Sequence, residues 1–171
     1  MRLSLCLCLL FGTAACTSEP PEAQALVDHM LWVEVGAADD PFEDRPAVVE
    51  CSALAFGYDF IGEDSFEVDT GSCDYLTVAQ PSLVAVESGD SLDFRLWHTG
   101  LSGPEGESHV AVTLGGELAW DIRISIPGES ELISETLVSD FDVPVGAEVL
   151  FHIHNHGSNN YNLLDCKVTG S

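Results

Sequence analysis

The chain has 171 residues, with 29 acidic and 5 basic side chains and a formal net charge of −24. So few cations exclude a nucleic-acid-binding surface and a basic patch for anionic lipid, because both need clustered Lys and Arg. Since 46% of the residues are hydrophobic, the sequence predicts one folded acidic domain rather than a disordered tail.

The N-terminus carries an export signal. Arg2 precedes an apolar run over residues 3–11, which is too short to cross a bilayer. The following Thr13-Ala14-Ala15-Cys16 resembles the lipobox of bacterial lipoproteins. The resemblance implies cleavage before Cys16, lipidation of its thiol and acylation of the new amine. Thr17 stands where lipoproteins of the inner membrane commonly carry Asp, which implies the outer membrane. The alternative is an ordinary secretory signal with an incidental Cys16.

This interpretation divides the chain into a signal peptide (1–15), a lipidated N-terminus with a polar tether (16–25) and a β-domain (26–171). At the start of the domain, Leu26, Met30 and Val33 have helical spacing. The same stretch also fits a strand from Leu31 to Val35, so a short helix and a short strand both remain open.

Three cysteines remain after removal of the signal and modification of Cys16. Export implies an oxidising compartment, where a disulfide persists. Cys51 and Cys73 enclose a short loop, and we predict that they are bonded to each other. Cys166 falls on the apolar side of a predicted strand, where a free thiol behaves as a small hydrophobic side chain.

Apolar and polar residues alternate along most of the chain, with turn residues every 8–15 positions. This pattern predicts seven to nine strands in one antiparallel β-sandwich, jelly-roll-like, with an immunoglobulin-like arrangement as the alternative. The alternating segments are Phe66–Thr70, Leu83–Val86, Leu92–His98, Val110–Leu114, Leu118–Ile126, Glu148–His156 and Tyr161–Val168. The strand-turn-strand texture of Leu83–Leu96 and Val143–Val168 loosely resembles jelly-roll carbohydrate-binding modules. It covers under half of the domain and implies a fold without a functional signature.

The last two segments are predicted to form a hairpin around Gly157-Ser158-Asn159-Asn160. With a four-residue loop, His154 faces Leu163 and His152 faces Asp165, while on the other face every pair from Val149 to Ile153 is apolar.

The strongest chemical signal is His152-Ile153-His154-Asn155-His156, because alternate residues of a strand share one face. Two such imidazoles can bind one metal ion, Zn²⁺ or Cu²⁺, with a third ligand from a neighbouring strand. The candidates for this ligand are His98, His109 and Asp165, and Asp165 could instead orient an imidazole. The alternative is a structural role, in which the histidines hydrogen-bond to neighbouring polar side chains.

Two further features concern ligands. The acidic pairs Asp39-Asp40, Glu43-Asp44 and Glu63-Asp64 offer oxygen ligands for Ca²⁺ but lack the spacing of a calcium loop, which favours solvated acidic loops. Trp97 points away from Leu96 and, if exposed, is the best single candidate for contact with a ligand.

The sequence contains no recognisable nucleophile elbow, zinc-protease motif or phosphate-binding loop. It therefore predicts a non-enzymatic, lipid-anchored, extracytoplasmic module that has a binding or structural role, with a glycan or a protein as ligand. The alternative is a metal-binding lipoprotein that uses the strand of His152, His154 and His156.

Overall fold

The computed structural model describes residues 21–171, so the predicted signal peptide and the predicted lipidation site at Cys16 lie outside the described residues. Residues 21–171 form eleven strands and no helix. No helix in this range is long and apolar enough to cross a membrane. The strands are β1 (Gln24–Ala25), β2 (Val33–Glu34), β3 (Phe56–Phe60), β4 (Asp64–Asp69), β5 (Tyr75–Pro81), β6 (Ser91–His98), β7 (Leu101–Leu114), β8 (Glu117–Gly128), β9 (Glu131–Val138), β10 (Glu148–His154) and β11 (Asn160–Thr169).

The strands form two antiparallel sheets that pack as a sandwich. The first sheet, sheet A, has the order β3-β4-β11-β6-β9, with β1 paired to the far part of β11. The second, sheet B, has the order β2-β5-β10-β7-β8. The predicted antiparallel β-sandwich is confirmed, and β1 and β2 show that the N-terminal segment adopts strands rather than a helix.

The core lies between the sheets and is built from alternate residues of each strand. Phe94 and Leu96 of β6 and Phe151 and Ile153 of β10 are at most 1% exposed. Burial of side chains of this size contributes about 1.5–3 kcal/mol each relative to exposure. Trp120 of β8 stacks on Phe94 with ring centroids 5.2 Å apart, so it belongs to the core.

The strand expected at Leu83–Val86 is not formed. Only Val86 of this segment pairs, in an isolated bridge with Val143. The apolar residues Val84 and Val86 still pack against the core, which explains why the segment has the apolar pattern of a strand without its ladder.

The predicted hairpin of β10 and β11 is wrong, because the two strands belong to different sheets. Strand β10 pairs with β5 and β7, whereas β11 pairs with β4 and β6. The connection between them crosses the end of the sandwich and is held by Thr70. The Asn155 amide donates to Thr70 Oγ1 at 2.7 Å, and this hydroxyl lies 3.0 Å from the Asn159 carbonyl.

The crossing also needs a glycine. A Cβ at Gly157 would collide with the carbonyl of Ser102, so the connection lies directly against the start of β7. Because Asn155 and Asn159 are buried, their polar groups need partners inside the protein, and Thr70 supplies some of them. A solvent-exposed hairpin turn would not bury two asparagines in this way.

The disulfide between Cys51 and Cys73 is confirmed, and it closes a loop with a sequence separation of 22. The two residues also form an isolated β-bridge. Cys166 is buried and free, and burial raises the pKa of its thiol to about 12. At neutral pH this thiol is therefore protonated and behaves as an apolar core side chain.

Candidate functional site

The register of sheet B places three histidines together. His154 of β10 lies opposite His109 of β7 and Tyr75 of β5, and His152 lies one row away. Residues paired across antiparallel strands share a face, so these imidazoles lie on the side of sheet B that faces away from the core. The ring centroids of His109 and His152 are 4.8 Å apart.

Residues 36–50, which we call the covering segment, lie over this outer face. Phe42 stacks on His152 with ring centroids 4.1 Å apart. Asp40 accepts hydrogen bonds from Tyr75 Oη at 2.8 Å and from Arg45 at 2.6 Å. The covering segment therefore buries the histidines, and His152 is 0% exposed.

Asp44 of the covering segment is the centre of the cluster. Its Oδ2 lies 2.8 Å from His109 Nδ1 and 3.2 Å from His154 Nδ1. Its Oδ1 lies 3.5 Å from His152 Nε2. The half-exposed Arg123 is 3.9 Å away. One carboxylate thus contacts imidazoles from two neighbouring strands and connects a loop to the middle of the sheet.

The electrostatics of the cluster follow from burial and from these contacts. Burial alone would raise the pKa of Asp44, but the hydrogen bond from His109, the charge of His152 and the hydrogen bond from His154 outweigh it and lower that pKa to about 2. Burial lowers the pKa of His152 to about 4, against the opposing charge of Asp44. At neutral pH the cluster therefore contains an ionised carboxylate beside a neutral imidazole at His152.

The remaining ring nitrogens differ in their partners. His109 Nε2 lies 3.2 Å from Asp121 Oδ2, and His152 Nδ1 lies 3.0 Å from Thr77 Oγ1. Among the described residues, His152 Nε2 and His154 Nε2 are buried without a hydrogen-bond partner. One atom each from Asp44, His109 and His152 lie within 4.8 Å of one another, which is a donor set suited to a cation.

The structure separates the residues that the sequence analysis grouped as metal ligands. His152 and His154 come together, and His109 joins them from β7. His98 lies in the other sheet, where its Nδ1 donates to the Thr99 carbonyl at 2.9 Å and its ring packs 5.6 Å from Tyr161. His156 is exposed beside His154.

Asp165 also lies in sheet A. Its carboxylate binds Arg95 at 2.6 Å and Lys167 at 2.5 Å. The expectation that Asp165 faces His152 is wrong, because it rested on the hairpin that does not form.

The acidic loops are not all solvated. The side chain of Asp40 is 0% exposed and Asp44 is engaged by the histidines, which corrects the prediction for these two residues. Glu63 binds Arg95 at 2.9 Å on the surface. The sequence marks Asp44 only as part of an acidic pair, because its contact with His154 spans 110 residues and involves a loop without periodicity.

A second feature is a groove of about 620 Å³ along β11. Strand β11 pairs with β4 up to Leu163 and with β1 from Lys167, and the groove lies over the interval between these two ladders. The side chains that line it include His29, Met30, Tyr58, Glu63, Asp64 and Asp165. His29 closes part of the gap, because its Nε2 donates to the Leu164 carbonyl at 3.1 Å.

Trp97 lies on β6 and points away from the core, as the sequence predicts. It is half-buried, with Asn162 and Leu132 as its neighbours on the adjacent strands. It does not line the groove along β11.

The architecture is similar to that of solved carbohydrate-binding modules. A module that recognises mannan, TmCBM27, aligns with a TM-score of 0.52 at 10% identity over 90% of this chain and 98% of that chain. A CBM4 structure aligns with a TM-score of 0.45 at 18% identity over 67% of this chain and 89% of that chain. The N-terminal cellulose-binding domain from Cellulomonas fimi β-1,4-glucanase C gives 0.44 at 15% identity, over 71% and 92% of the two chains.

The comparison with the module that recognises mannan defines the class of fold. The chain is an all-β jelly-roll sandwich of the type found in carbohydrate-binding modules. At such low identity the likeness concerns the fold alone. No protein-family model matches the sequence, and no curated protein matches it.

Proposed function

We propose that this protein is a non-enzymatic, lipid-anchored module outside the cytoplasm that binds a glycan in the groove along β11. The observation that carries the proposal is an exposed tyrosine ring beside carboxylates in this groove. Tyr58 is 47% exposed, and its hydroxyl donates to Asp64 at 2.6 Å. The hydrogen bond fixes the ring at the side of the groove.

An exposed aromatic ring beside carboxylates is suited to binding a sugar. The apolar face of a sugar ring packs on an aromatic side chain, and its hydroxyls donate to carboxylates. Glu63, Asp64 and Asp28 line the groove and supply these acceptors. The volume of about 620 Å³ is within the range of small-molecule sites. The jelly-roll fold, shared with a module that recognises mannan, supports the same class of ligand.

The negative net charge of the protein favours neutral over acidic glycans as ligands. With a formal net charge of −24, the surface repels polyanions at moderate ionic strength. We therefore expect a neutral glycan rather than an acidic one.

The outer face of sheet B is a poorer location for a glycan. The covering segment already occupies it, and the side chains of Thr77, Ala111 and Leu150 on that face are at most 4% exposed. A glycan could reach them only after the covering segment moved, which would break the contacts of Asp40 and Asp44.

Affinity electrophoresis tests glycan binding. The full chain, purified in neutral detergent, is run in native gels that contain a panel of neutral polysaccharides or, as a control, an acidic one. We expect retardation by a neutral polysaccharide, and about tenfold weaker binding for Tyr58→Ala, the loss expected for one stacking contact. The matched control is Phe60→Ala, which removes an exposed ring of the same strand outside the groove. No retardation by any member of the panel, or equal retardation of both variants, contradicts the proposal.

The same panel tests Trp97, the ligand contact proposed from the sequence. Weaker binding of Trp97→Ala with unchanged binding of Tyr58→Ala would move the site from the groove to the outer face of sheet A. A protein ligand is the conclusion if no glycan binds and a partner is captured only by the folded chain.

The lipid anchor is proposed at Cys16, with the outer membrane as the destination. The support is the lipobox Thr13-Ala14-Ala15-Cys16. Mass spectrometry of the mature protein is expected to find an acylated Cys16 at the N-terminus, and Cys16→Ser is expected to release the domain from the membrane fraction. A mature N-terminus without lipid at another residue contradicts the anchor. Recovery of the wild-type chain in inner-membrane fractions contradicts the destination.

A further inference from the structure

We propose that Asp44, His109, His152 and His154 form a binding site for one divalent transition-metal ion, Zn²⁺ or Cu²⁺, which fastens the covering segment to sheet B. This site is independent of glycan binding, because it lies in the other sheet from the groove. Of the three candidates named from the sequence for the further ligand, His109 belongs to this site and His98 and Asp165 do not, while Asp44 was not among them.

The side chains of the cluster are suitable ligands for these metal ions. Three imidazoles and one carboxylate are the ligands that Zn²⁺ and Cu²⁺ prefer among protein side chains. Asp44 contacts all three rings, at 2.8 Å, 3.2 Å and 3.5 Å. Asp44, His109 and His152 form the group of converging donor atoms. His154, which lies 3.2 Å from Asp44, would complete the four ligands of a closed site, which is typical of structural rather than catalytic zinc.

The distances between the donor atoms are close to those around a bound zinc ion. Ligand atoms at tetrahedral zinc lie about 3.3 Å apart, given bonds of about 2.0–2.1 Å. The atoms of Asp44, His109 and His152 lie within 4.8 Å of one another, so each must move inward by about 1 Å or less. Asp44 lies on a loop outside the strands and can follow such a shift without breaking a strand ladder.

The cluster also contains a buried ring nitrogen that lacks a hydrogen-bond partner among the described residues. His152 is fully buried, and its Nε2 has no hydrogen-bond partner among the described residues although it points towards Asp44. A buried polar atom without a partner costs about 1–3 kcal/mol, and a metal ion would satisfy it.

In two of the imidazoles, the ring nitrogen that faces away from Asp44 lies near an oxygen atom. A metal-binding histidine commonly donates its second ring N–H to a neighbouring oxygen, which fixes the ring. His109 Nε2 lies 3.2 Å from Asp121, and His152 Nδ1 lies 3.0 Å from Thr77. Both rings are therefore held with one nitrogen directed at the centre of the cluster.

A metal ion would couple the loop to the sheet. Asp44 belongs to the covering segment, whereas the three histidines belong to β7 and β10. Because the ion binds only when these parts are together, it stabilises the closed arrangement by mass action.

The test is metal binding by the full chain in neutral detergent, after stripping with a chelator. The protein is dialysed against Zn²⁺ in the presence of excess Mg²⁺, which occupies weak carboxylate sites on the acidic surface. We expect one zinc per chain by elemental analysis and a rise of the melting temperature by several degrees. Co²⁺ in the same site is expected to give the visible absorption bands of a four-coordinate ion.

The decisive comparison is between variants. Asp44→Asn and His109→Gln each remove one ligand and are expected to weaken binding by about tenfold or more, with loss of the cobalt bands. His156→Gln is the matched control, because this histidine is exposed and has no contact with Asp44. His154→Gln serves as a further ligand variant if another one fails to fold, which its melting curve in chelator would show.

Three results would overturn the site. The first is that the wild-type chain binds no zinc in excess Mg²⁺. The second is that Asp44→Asn and His109→Gln both retain zinc at the wild-type affinity. The third is that the chain binds several zinc ions weakly and Mg²⁺ displaces them. The last pattern would indicate adventitious binding to surface carboxylates.

Discussion

Asp44 Oδ2 and His109 Nδ1 lie 2.8 Å apart and join a loop to a strand 65 residues further along the chain. The contact is one of three between this carboxylate and histidines of sheet B. It turns the outer face of the sheet, which would otherwise be open, into a buried polar layer under the covering segment. The covering segment therefore occupies the outer face of sheet B, whereas the groove along β11 belongs to sheet A.

Replacement of Asp44 by Asn is expected to destabilise the metal-free protein by about 1–2 kcal/mol, because the charge-assisted hydrogen bonds to His109 and His154 are weakened in a site that is partly exposed to solvent. Urea denaturation in the presence of a chelator measures the change. Asp39→Asn is the control, since Asp39 is an exposed acid of the same covering segment. Equal denaturation midpoints for the two variants would contradict the role of Asp44.

The disulfide gives a second prediction. Replacing both Cys51 and Cys73 by Ser is expected to lower the free energy of unfolding by about 3 kcal/mol, because the closed loop restricts the unfolded chain. The sequence separation of 22 sets this magnitude. Urea denaturation under oxidising conditions is the measurement, and a reductant should abolish the difference between wild type and variant. A wild-type midpoint that does not respond to the reductant would contradict a stabilising disulfide.

The cysteines can also be counted chemically. Burial raises the pKa of Cys166 to about 12, so we expect the native mature protein not to react with a thiol reagent at neutral pH. In denaturant, one thiol per chain is expected, because Cys51 and Cys73 are bonded and Cys16 is proposed to carry lipid. More than one thiol, or reaction in the native state, would refute one of these assignments.

The ion pairs of Asp165 are expected to make the folded protein less stable in acid. Burial would raise its pKa, but the ion pairs with Lys167 and Arg95 outweigh burial and lower that pKa below the usual value. The unfolded state then binds more protons as the pH falls through the ordinary range of Asp. The contribution of this carboxylate to stability is therefore complete near neutral pH and is lost in acid.

The measurement is the urea midpoint of wild type and Asp165→Asn between neutral pH and about pH 3, a range that includes the ordinary pKa of Asp. The midpoint of the variant is expected to fall less steeply with acidification. Asp140→Asn, at an exposed acid, should keep the wild-type slope. Parallel curves for wild type and Asp165→Asn would show that the ion pairs do not contribute.

Local periodicity was sufficient to predict the type of fold. Leu92, Phe94 and Leu96 alternate with polar residues, and the structure buries them in β6. The alternation also placed His152 on the same face as His154. Each of these features depends on residues that are close in sequence, which is why the pattern contains them.

Sheet partners could not be predicted in the same way. The apolar face of β10 fits β11 as well as it fits β5 and β7, since all three offer apolar residues at every second position. The choice depends on the buried polar links from Thr70 to Asn155 and Asn159, which span more than 80 residues. The contact of Asp44 with His154 spans 110. Contacts over such separations leave no periodic signal.

The decisive measurement for the proposed glycan site in the groove along β11 is the location of the bound glycan. Hydrogen–deuterium exchange of the full chain is measured with and without the neutral polysaccharide that retards it in gels. We expect slower exchange at Phe56–Phe60, at 61–64 and at 164–166, with no change at Tyr75–Pro81 and Glu148–His154. Slower exchange at Tyr75–Pro81 and Glu148–His154 without change at the groove would contradict the proposed site, because the ligand would then occupy the face that the covering segment closes.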